Sequence, residues 1–406
     1  FKKGYRMTRH RWALAATLTA TLATGTALAE TNWTGTLEQA RGQTVYFHAW
    51  GGSEVINDYL RWAAERVEDE FEVTLEHVKV AEIGTTISQI LSEKTAGRDS
   101  GGAADLVWIN GENFAAMKEN DLLFGPFTQD LPNYPLVDTD NKPTTLFDFT
   151  TPVDNLEAPW GMAQLVFMAD TARVDATPRS MLDLLDFARD NPGRVTYPAP
   201  PAFHGTTFLK QALLELAADR EPLYSPVDEA DFDTVTEPLW AYLDLLHPLM
   251  WRNGETFTSG APEMTQLLND GEIVLSLSFN PNDASNAIAN GELPDTVRTY
   301  VHDAGSIGNT HFIGIPYNSD NTAAAQVVAN FLMSPEAQAH KADTSIWGDP
   351  TVLALDKLAE SDRALFEQLP AGVATLSADE LGAVLREPDA SWVPALERAW
   401  QQRYAR

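Results

Sequence analysis

Asn110-Gly111-Glu112-Asn113 sets two amides and a carboxylate side by side around a glycine. The amides both donate and accept hydrogen bonds, an ionised carboxylate only accepts, and a glycine lets the backbone come close to a bound molecule. Such a loop is equipped to hold a small polar solute. The arrangements that break bonds are missing from the sequence. There is no Gly-x-Ser-x-Gly elbow, no His-Glu-x-x-His pair and no phosphate-cradling glycine loop. The eight histidines are scattered. His302, Asp303 and His311 suggest a metal site only by proximity, since no ligand pair stands at i, i+4 on a helix. Adjacent tyrosines suited to ferric iron are also missing. With no cysteine, disulfides, thiol catalysis and thiolate metal sites are excluded. One catalytic alternative stays open: an exported hydrolase of glycosidase type needs only two of the 58 acids.

The flanking residues say how that loop is positioned. Leu106-Val107-Trp108-Ile109 is a continuous apolar run suited to a strand covered on both faces. Asn113 is a good N-cap for a helix carrying Phe114 and Met117. The loop therefore joins a strand's carboxyl end to a helix, the place where open α/β sheets bind ligands. Upstream, residues 44–49 read as a strand, Trp50-Gly51-Gly52 as a turn, and 53–70 as a capped helix with Val55, Tyr59, Trp62 and Val67 near one face. A strand over 73–80 and a helix over 85–94 follow, so the pattern predicts βαβ units and a parallel sheet.

Residues 122–159 are rich in Pro, Asp and Thr and read as irregular connection. An apolar strand over 161–168 is expected to enter a second domain. Helices are expected over 179–189, from His204 to about residue 218, over 231–249 and over 264–269. The strand over 273–279 ends at Asn280-Pro281-Asn282-Asp283 and is read as carrying the chain back. Residues 297–301 and 311–315 are expected to pair with each other. A helix over 322–332 and another opened by Ser334-Pro335-Glu336 lead into a largely helical remainder, expected on the second domain.

The amino-terminal residues have the layout of a secretory signal: Arg9, His10 and Arg11, an apolar stretch from Trp12, and Ala27-Leu28-Ala29 as cleavage site. Export with cleavage after Ala29 is expected, and without a cysteine to lipidate, a free periplasmic protein. The formal net charge is −30, with the acids spread along the whole chain. Such a field repels nucleic acid. It fits adaptation to salt better than a focused lure for cations.

Five stretches, in order along nearly the whole chain, carry a resemblance. They are the strand ending at Trp50-Gly51-Gly52; Ala104-Asp105-Leu106-Val107-Trp108 with Leu122-Leu123 beyond its helix; Ala158-Pro159-Trp160-Gly161 before Val166-Phe167-Met168; Gly271-Glu272-Ile273-Val274-Leu275 before Asn280-Pro281; and Phe331-Leu332-Met333-Ser334-Pro335-Glu336-Ala337-Gln338. In these the chain resembles the extracytoplasmic solute-binding proteins of ABC importers, in the class with maltose-, polyamine-, iron- and thiamine-binding members. Its 108–114 segment is most similar to the YnjB-type branch, grouped with thiamine-type systems.

The resemblance implies an α/β, two-domain periplasmic-binding-protein fold of type 2, each domain a sheet flanked by helices, joined by a multi-strand hinge. It implies a monomer that takes a small solute in the cleft and delivers it to a membrane permease driven by an ATPase, without catalysis, cofactor or metal. The expected division is 1–29 as signal, 30–160 and 279–316 as domain I, and 161–278 and 317–406 as domain II. The expected ligand contacts are Trp50, Gly51, Asn110, Glu112, Asn113, Asn280 and Asn282 from the first domain, Trp160 and Gln164 at the crossover, and Tyr197, His204, Thr206 and Trp347 from the second. Flat aromatics and amides suit a heteroaromatic or cationic solute such as a thiamine-like one, with Glu112 and Asp283 to neutralise it; a binding protein for sugars or metal is the alternative within the class.

The acidic surface gives a first prediction. If it is a salt adaptation, the melting temperature of the mature protein rises as NaCl is taken from 0.1 to 1 M. A flat or falling curve overturns that reading.

Overall fold

The computed structural model describes residues 32–405, so the expected signal segment lies outside the described residues. In chain order the elements that matter are β1 (Thr44–Trp50), α1 (Glu54–Phe71), β2 (Thr74–Val80), α2 (Gly84–Thr95), β3 (Leu106–Ile109), α3 (Glu112–Glu119), the hairpin β4 (Phe147–Asp148) and β5 (Thr151–Pro152), β6 (Glu157–Gln164) and β7 (Val166–Asp170). Then come α4 (Met181–Asp190), α5 (Phe203–Leu216), α6 (Phe232–Leu246), α7 (Ala261–Asp270), β8 (Leu275–Ser278), α8 (Asp283–Ala289), β9 (Val297–Tyr300), β10 (Ser306–Gly314), α9 (Thr322–Leu332) and α10 (Pro335–Ala342). The chain closes with α11 (Glu360–Glu367), α12 (Ala378–Leu381), β11 (Val384–Leu385) and α13 (Trp392–Tyr404).

The first lobe is the predicted βαβ arrangement. β1 runs parallel to β2, Thr44 against Thr74 through Trp50 against Val80, and parallel to β3, Phe47 against Leu106. Alternation along these strands feeds two cores. Val45, Phe47 and Leu106 pack with Tyr59, Leu60 and Ala63 of α1 and Val328 and Phe331 of α9. Val107 and Ile109 face the other way, onto Ile87 and Ile90 of α2 and Phe114 and Met117 of α3. β3 is apolar throughout because both its faces are covered.

The second lobe is built on an antiparallel sheet, β8-β7-β9. Phe167, Leu275 and Tyr300 from its strands join Leu184 of α4, Leu209 of α5, Leu243 of α6 and Trp400 of α13 in one core. The lobes share strands. β10 is antiparallel to β6 from Gly308 against Gln164 to Gly314 against Glu157, and also antiparallel to β3. Along β6, Trp160 belongs to the first core and Ala163 to the second, as does Leu165 just beyond the strand. On β10, Ile307 lies in the second core and Ile313 in the first.

Three expectations are corrected by packing. Residues 279–303 do not return to the first lobe: the Asn280-Pro281-Asn282 turn leads into α8, and Ala284, Ala287, Val297 and Tyr300 stay in the second core. The return is β10 itself. Residues 297–300 and 311–314 do not pair; β9 lies against β7, and β10 against β6 and β3. The segment 317–406 is also not a second-lobe block. α9, α10 and Val352 to Leu358 are first-lobe core, and only from Ala374 does the chain again join the second. The apolar face of α9 (Val327, Val328, Phe331, Leu332) is complementary to the helix-covered face of β1, which sequence periodicity cannot assign to a lobe.

At the crossover lies a sealed ion cluster. Asp349 accepts from Lys341 and lies 3.0 Å from Nε2 of His311, under the rings of Trp160 and Trp347, whose centroids lie 5.7 and 5.4 Å from the Lys341 ammonium. A Cβ on Gly161 would come within 2.1 Å of Asp349 Oδ2, so only glycine fits on β6 here. Trp160 is fully buried and meets Trp108 edge-on at 4.9 Å. Replacing it by alanine is therefore predicted to cost about 3–5 kcal/mol of stability, read by denaturant unfolding of the free protein. An unchanged midpoint with lost solute binding would instead make it a ligand contact.

Candidate functional site: an acceptor-rich cleft

The parallel strands β1, β2 and β3 end at Trp50, Val80 and Ile109, and their following loops face the second lobe. Gly111, φ +57°, donates its N–H to Asp148 Oδ1 at 2.8 Å and closes against the Phe149 ring, which a Cβ would approach to 2.6 Å. Phe149, at the hairpin tip, itself holds φ +52°, a left-handed conformation that costs a non-glycine residue about 1–2 kcal/mol. Its neighbour Thr150 donates to Asp389 at 2.5 Å. Asn113 Nδ2 donates to Glu112 Oε1 at 2.9 Å.

Opposite stands α5. Its first turn carries Phe203 and His204, and Gly205 is pressed to Pro198 O, where a Cβ would lie at 2.1 Å. One turn on, Thr206 donates to Glu397 of α13 at 2.7 Å. One more turn on, Lys210 reaches Glu387 at 2.6 Å, with both side chains at most 2% exposed. Its ammonium lies 4.5 Å from the Phe149 ring and 6.0 Å from Phe203. The second oxygen of Glu387 accepts from Asn309 of β10 at 3.0 Å. The cleft floor is thus assembled from α3, the β4–β5 hairpin, α5, β10 and the chain just after β11.

Acceptors outnumber donors here. Asp148 Oδ2, Asn309 Oδ1 and both oxygens of Glu157 are buried without a hydrogen-bond partner among the described residues. Burial, with the Glu397 and Glu387 charges adding to it against the pull of Lys210, pushes Glu112 up to about 7. Burial holds Asp148 and Glu157 well above the carboxylate range, each helped by a neighbouring acid. Glu397 is raised by burial despite Thr206 and Lys210, and Glu82 at the rim by burial and by Glu397. Carboxyls raised together are short of positive charge.

The expected contacts divide sharply. Asn113 donates to Glu112, Thr206 donates to Glu397, and Glu397 acts on Glu112 across the lobes, while His204 stands in the first turn of α5 and Asn110 and Gly51 on strand-end loops. His204 lies edge-on to Phe203 and is held down to about 4 by burial, so it is neutral. Trp50 is half-buried, lies over Gly52 and packs on the first core.

Four expectations are corrected. Trp160 and Trp347 are first-lobe core. Tyr197 is sealed in the second core between His247 and Trp400 Nε1. Gln164 donates to Ser306 and to Leu381 O at the hinge. Asn280 and Asn282 are on the second lobe and donate to Trp347 O and Gly348 O, clasping the lobes together. Asp283, in the first turn of α8, is raised by burial, with Ser278 and Glu292 of the same lobe as neighbours.

Sequence reasoning missed Lys210, Phe149, Phe203, Asp148, Asn309, Glu387 and Glu397. Lys210 had a signal: it interrupts the apolar Phe208-Leu209-Lys210-Gln211-Ala212-Leu213-Leu214 run of a buried helix. A lysine is almost never buried without a partner. The others had none.

Residues 62–367 match the family model described as bacterial extracellular solute-binding protein. The chain belongs to this family. It is 44% identical over 374 residues to protein YnjB of Escherichia coli strain K12, covering 92% of this chain and 94% of that one. Its fold is similar to that of the TpPotD lipoprotein of Treponema pallidum, with a TM-score of 0.66 at 15% identity over 89% of this chain and 99% of that one. It is similar also to AfuA of Actinobacillus pleuropneumoniae, solved with fructose-6-phosphate, with a TM-score of 0.62 at 16% identity over 89% and 98%. A third likeness is to a putative spermidine/putrescine ABC transporter from Listeria monocytogenes, with a TM-score of 0.64 at 15% identity over 89% and 98%. The expected type 2 binding-protein fold, two lobes of sheets flanked by helices, is the one observed.

Because Glu112 holds its proton more tightly folded than unfolded, folding loses stability as pH rises from about 4.5 through 7. Glu112→Gln is predicted to melt above the parent at pH 8, by on the order of 2 °C, and not above it at pH 5. Equal melting at both values in a pH series would place Glu112 in solvent.

Proposed function

We propose that this protein is the solute-binding subunit of an ABC import system, that it works as a monomer in the periplasm, and that its solute is an organic cation. Family membership supports binding and delivery; among the described residues no helix is long and apolar enough to cross a membrane. The observation that carries the choice of a cation is the surplus of acceptors on the cleft floor. Glu397 of the second lobe acts on Glu112 of the first, and the buried Lys210 near them is already bound to Glu387. A sugar phosphate would add negative charge to this surplus. An ammonium or a heteroaromatic cation, thiamine being one example, would bring the missing charge and donors, and Phe149 and Phe203 offer ring faces to its body.

Closure is then ligand-driven. Bringing Glu112 toward Glu397 in an empty cleft costs energy unless protons neutralise them, and a cation removes that cost only in the closed form. The test is calorimetry and thermal shift with thiamine, choline, amines, polyamines, sugars and sugar phosphates. A cation at a hundredfold excess over Kd stabilises by about 2.7 kcal/mol. Its affinity is expected to fall as pH drops from 8 to 6, because Glu112 then holds a proton the cation must displace. Binding confined to neutral sugars or to anions overturns the proposal.

A further inference from the structure

We propose that Lys210 sets the charge of the solute: by keeping one of the cleft's carboxylates for itself, it restricts the site to cations with a single positive charge. This rests on the cationic reading above and deepens it.

Lys210 is a fixed resident. Its side chain is buried on α5 between Leu209 and Gln211, its ammonium is 2.6 Å from Glu387, and the Phe149 ring covers it at 4.5 Å. Glu387 has nothing left to lead with, since one oxygen accepts from Lys210 and the other from Asn309. Behind them Asp148 gives one oxygen to Gly111 N–H, and its other oxygen is unpartnered and buried, as are both of Glu157. Burial raises the proton affinity of both carboxyls, with Glu112 and Glu387 adding to it and Lys210 opposing it at Asp148, and Asp148 adding to it and Lys118 opposing it at Glu157.

Two carboxyls remain for the solute. Glu112 comes from the first lobe and is in the field of Lys210, Glu397 and Glu387. Glu397 comes from the second, accepts from Thr206 and is in the field of Lys210 and Arg398. Glu82 stands further out, exposed at the rim. Glu397 raises the proton affinity of Glu112, and one positive charge between the lobes is shared by the two. A second ammonium on the same solute, pushed deeper, would meet the Lys210 charge, and Glu387 there is already engaged by Lys210 and Asn309. Replacing Lys210 by an uncharged side chain of similar length frees Glu387 and opens a second cationic position.

The experiment is calorimetry at pH 8 with matched amines: butylamine against 1,4-diaminobutane, and benzylamine against p-xylylenediamine. The parent protein is expected to bind each monoamine at least tenfold more tightly than its diamine. Lys210→Met is expected to reverse that order. Glu387→Gln leaves the Lys210 charge uncompensated, so monoamine affinity should fall at least tenfold, and adding Lys210→Met to it should restore the parent's monoamine affinity. The last two variants carry the test if Lys210→Met alone does not fold. A parent that takes diamines as tightly as monoamines, or a Lys210→Met protein whose order is unchanged or that loses every amine, overturns the inference while leaving the cationic site standing. A parent that binds none of the four amines overturns the cationic reading itself and this inference with it.

Discussion

The ladder between β6 and β10 is the constraint on which the molecule depends. It runs unbroken from Gly308 against Gln164 to Gly314 against Glu157 apart from one irregularity between His311 and Phe312. Its two ends lie in different cores, with Ile307 in the second and Ile313 in the first. Because one hydrogen-bonded ribbon belongs to both lobes, the lobes cannot drift apart or slide freely. They can only bend about it, and a bend about a shared ribbon opens and closes the gap beyond the carboxyl ends of β1, β2 and β3. Every residue of the floor is placed by reference to this ribbon. Asn309, one residue on from Gly308, holds Glu387, and Glu157, at the far end, lies behind Asp148.

That geometry makes electrostatics a closure device. The first lobe brings Glu112, Asp148 and Glu82, the second Glu387 and Glu397, and Lys210 binds Glu387 and acts on Glu112, Asp148 and Glu397. In water such carboxyls would be ionised and indifferent to one another. Enclosure raises Glu112, Asp148, Glu397 and Glu82, so on the proposed reading closure without a cation is accompanied by protons. Solute charge and lobe position are then one equilibrium. The hairpin carrying Phe149 belongs to the same device: its left-handed backbone is held by the Gly111 contact on one side and by Lys210 and Asp389 on the other, and the last two are second-lobe groups.

What the sequence discloses follows from how local the physics is. The βαβ start was legible because strand, turn and helix periodicity are contained within residues 44–119, and Glu112 and Asn113 were legible as the polar end of a buried apolar strand. Lobe membership past residue 278 was not. α9 has an apolar face that any core would accept, and its assignment depends on β10 having already crossed back. The aromatic contacts failed for a related reason. Trp160 and Trp347 have the composition of a ligand box, but it closes around Lys341 rather than a solute. Glu387 and Glu397 stand in the last twenty residues, and nothing local distinguishes them from the other acids.

The two buried lysines show what separates a structural ion pair from a binding site. Lys341 and Lys210 each bind a buried carboxylate, and each is covered by aromatic rings. Around Lys341 the account closes: Asp349 uses one oxygen for Lys341 and the other for His311, and neither is left over. Around Lys210 it does not close, because Asn309 Oδ1, Asp148 Oδ2 and the Glu157 carboxyl stay unpartnered. An unpartnered buried acceptor costs about 1–3 kcal/mol, a cost that a donor brought by a solute would offset. Burial of charge is therefore not the mark of this site. Its mark is an unbalanced set of acceptors between two bodies that can part, and that imbalance, rather than the aromatic content that first suggested a ligand, points to the charge of what the cleft receives.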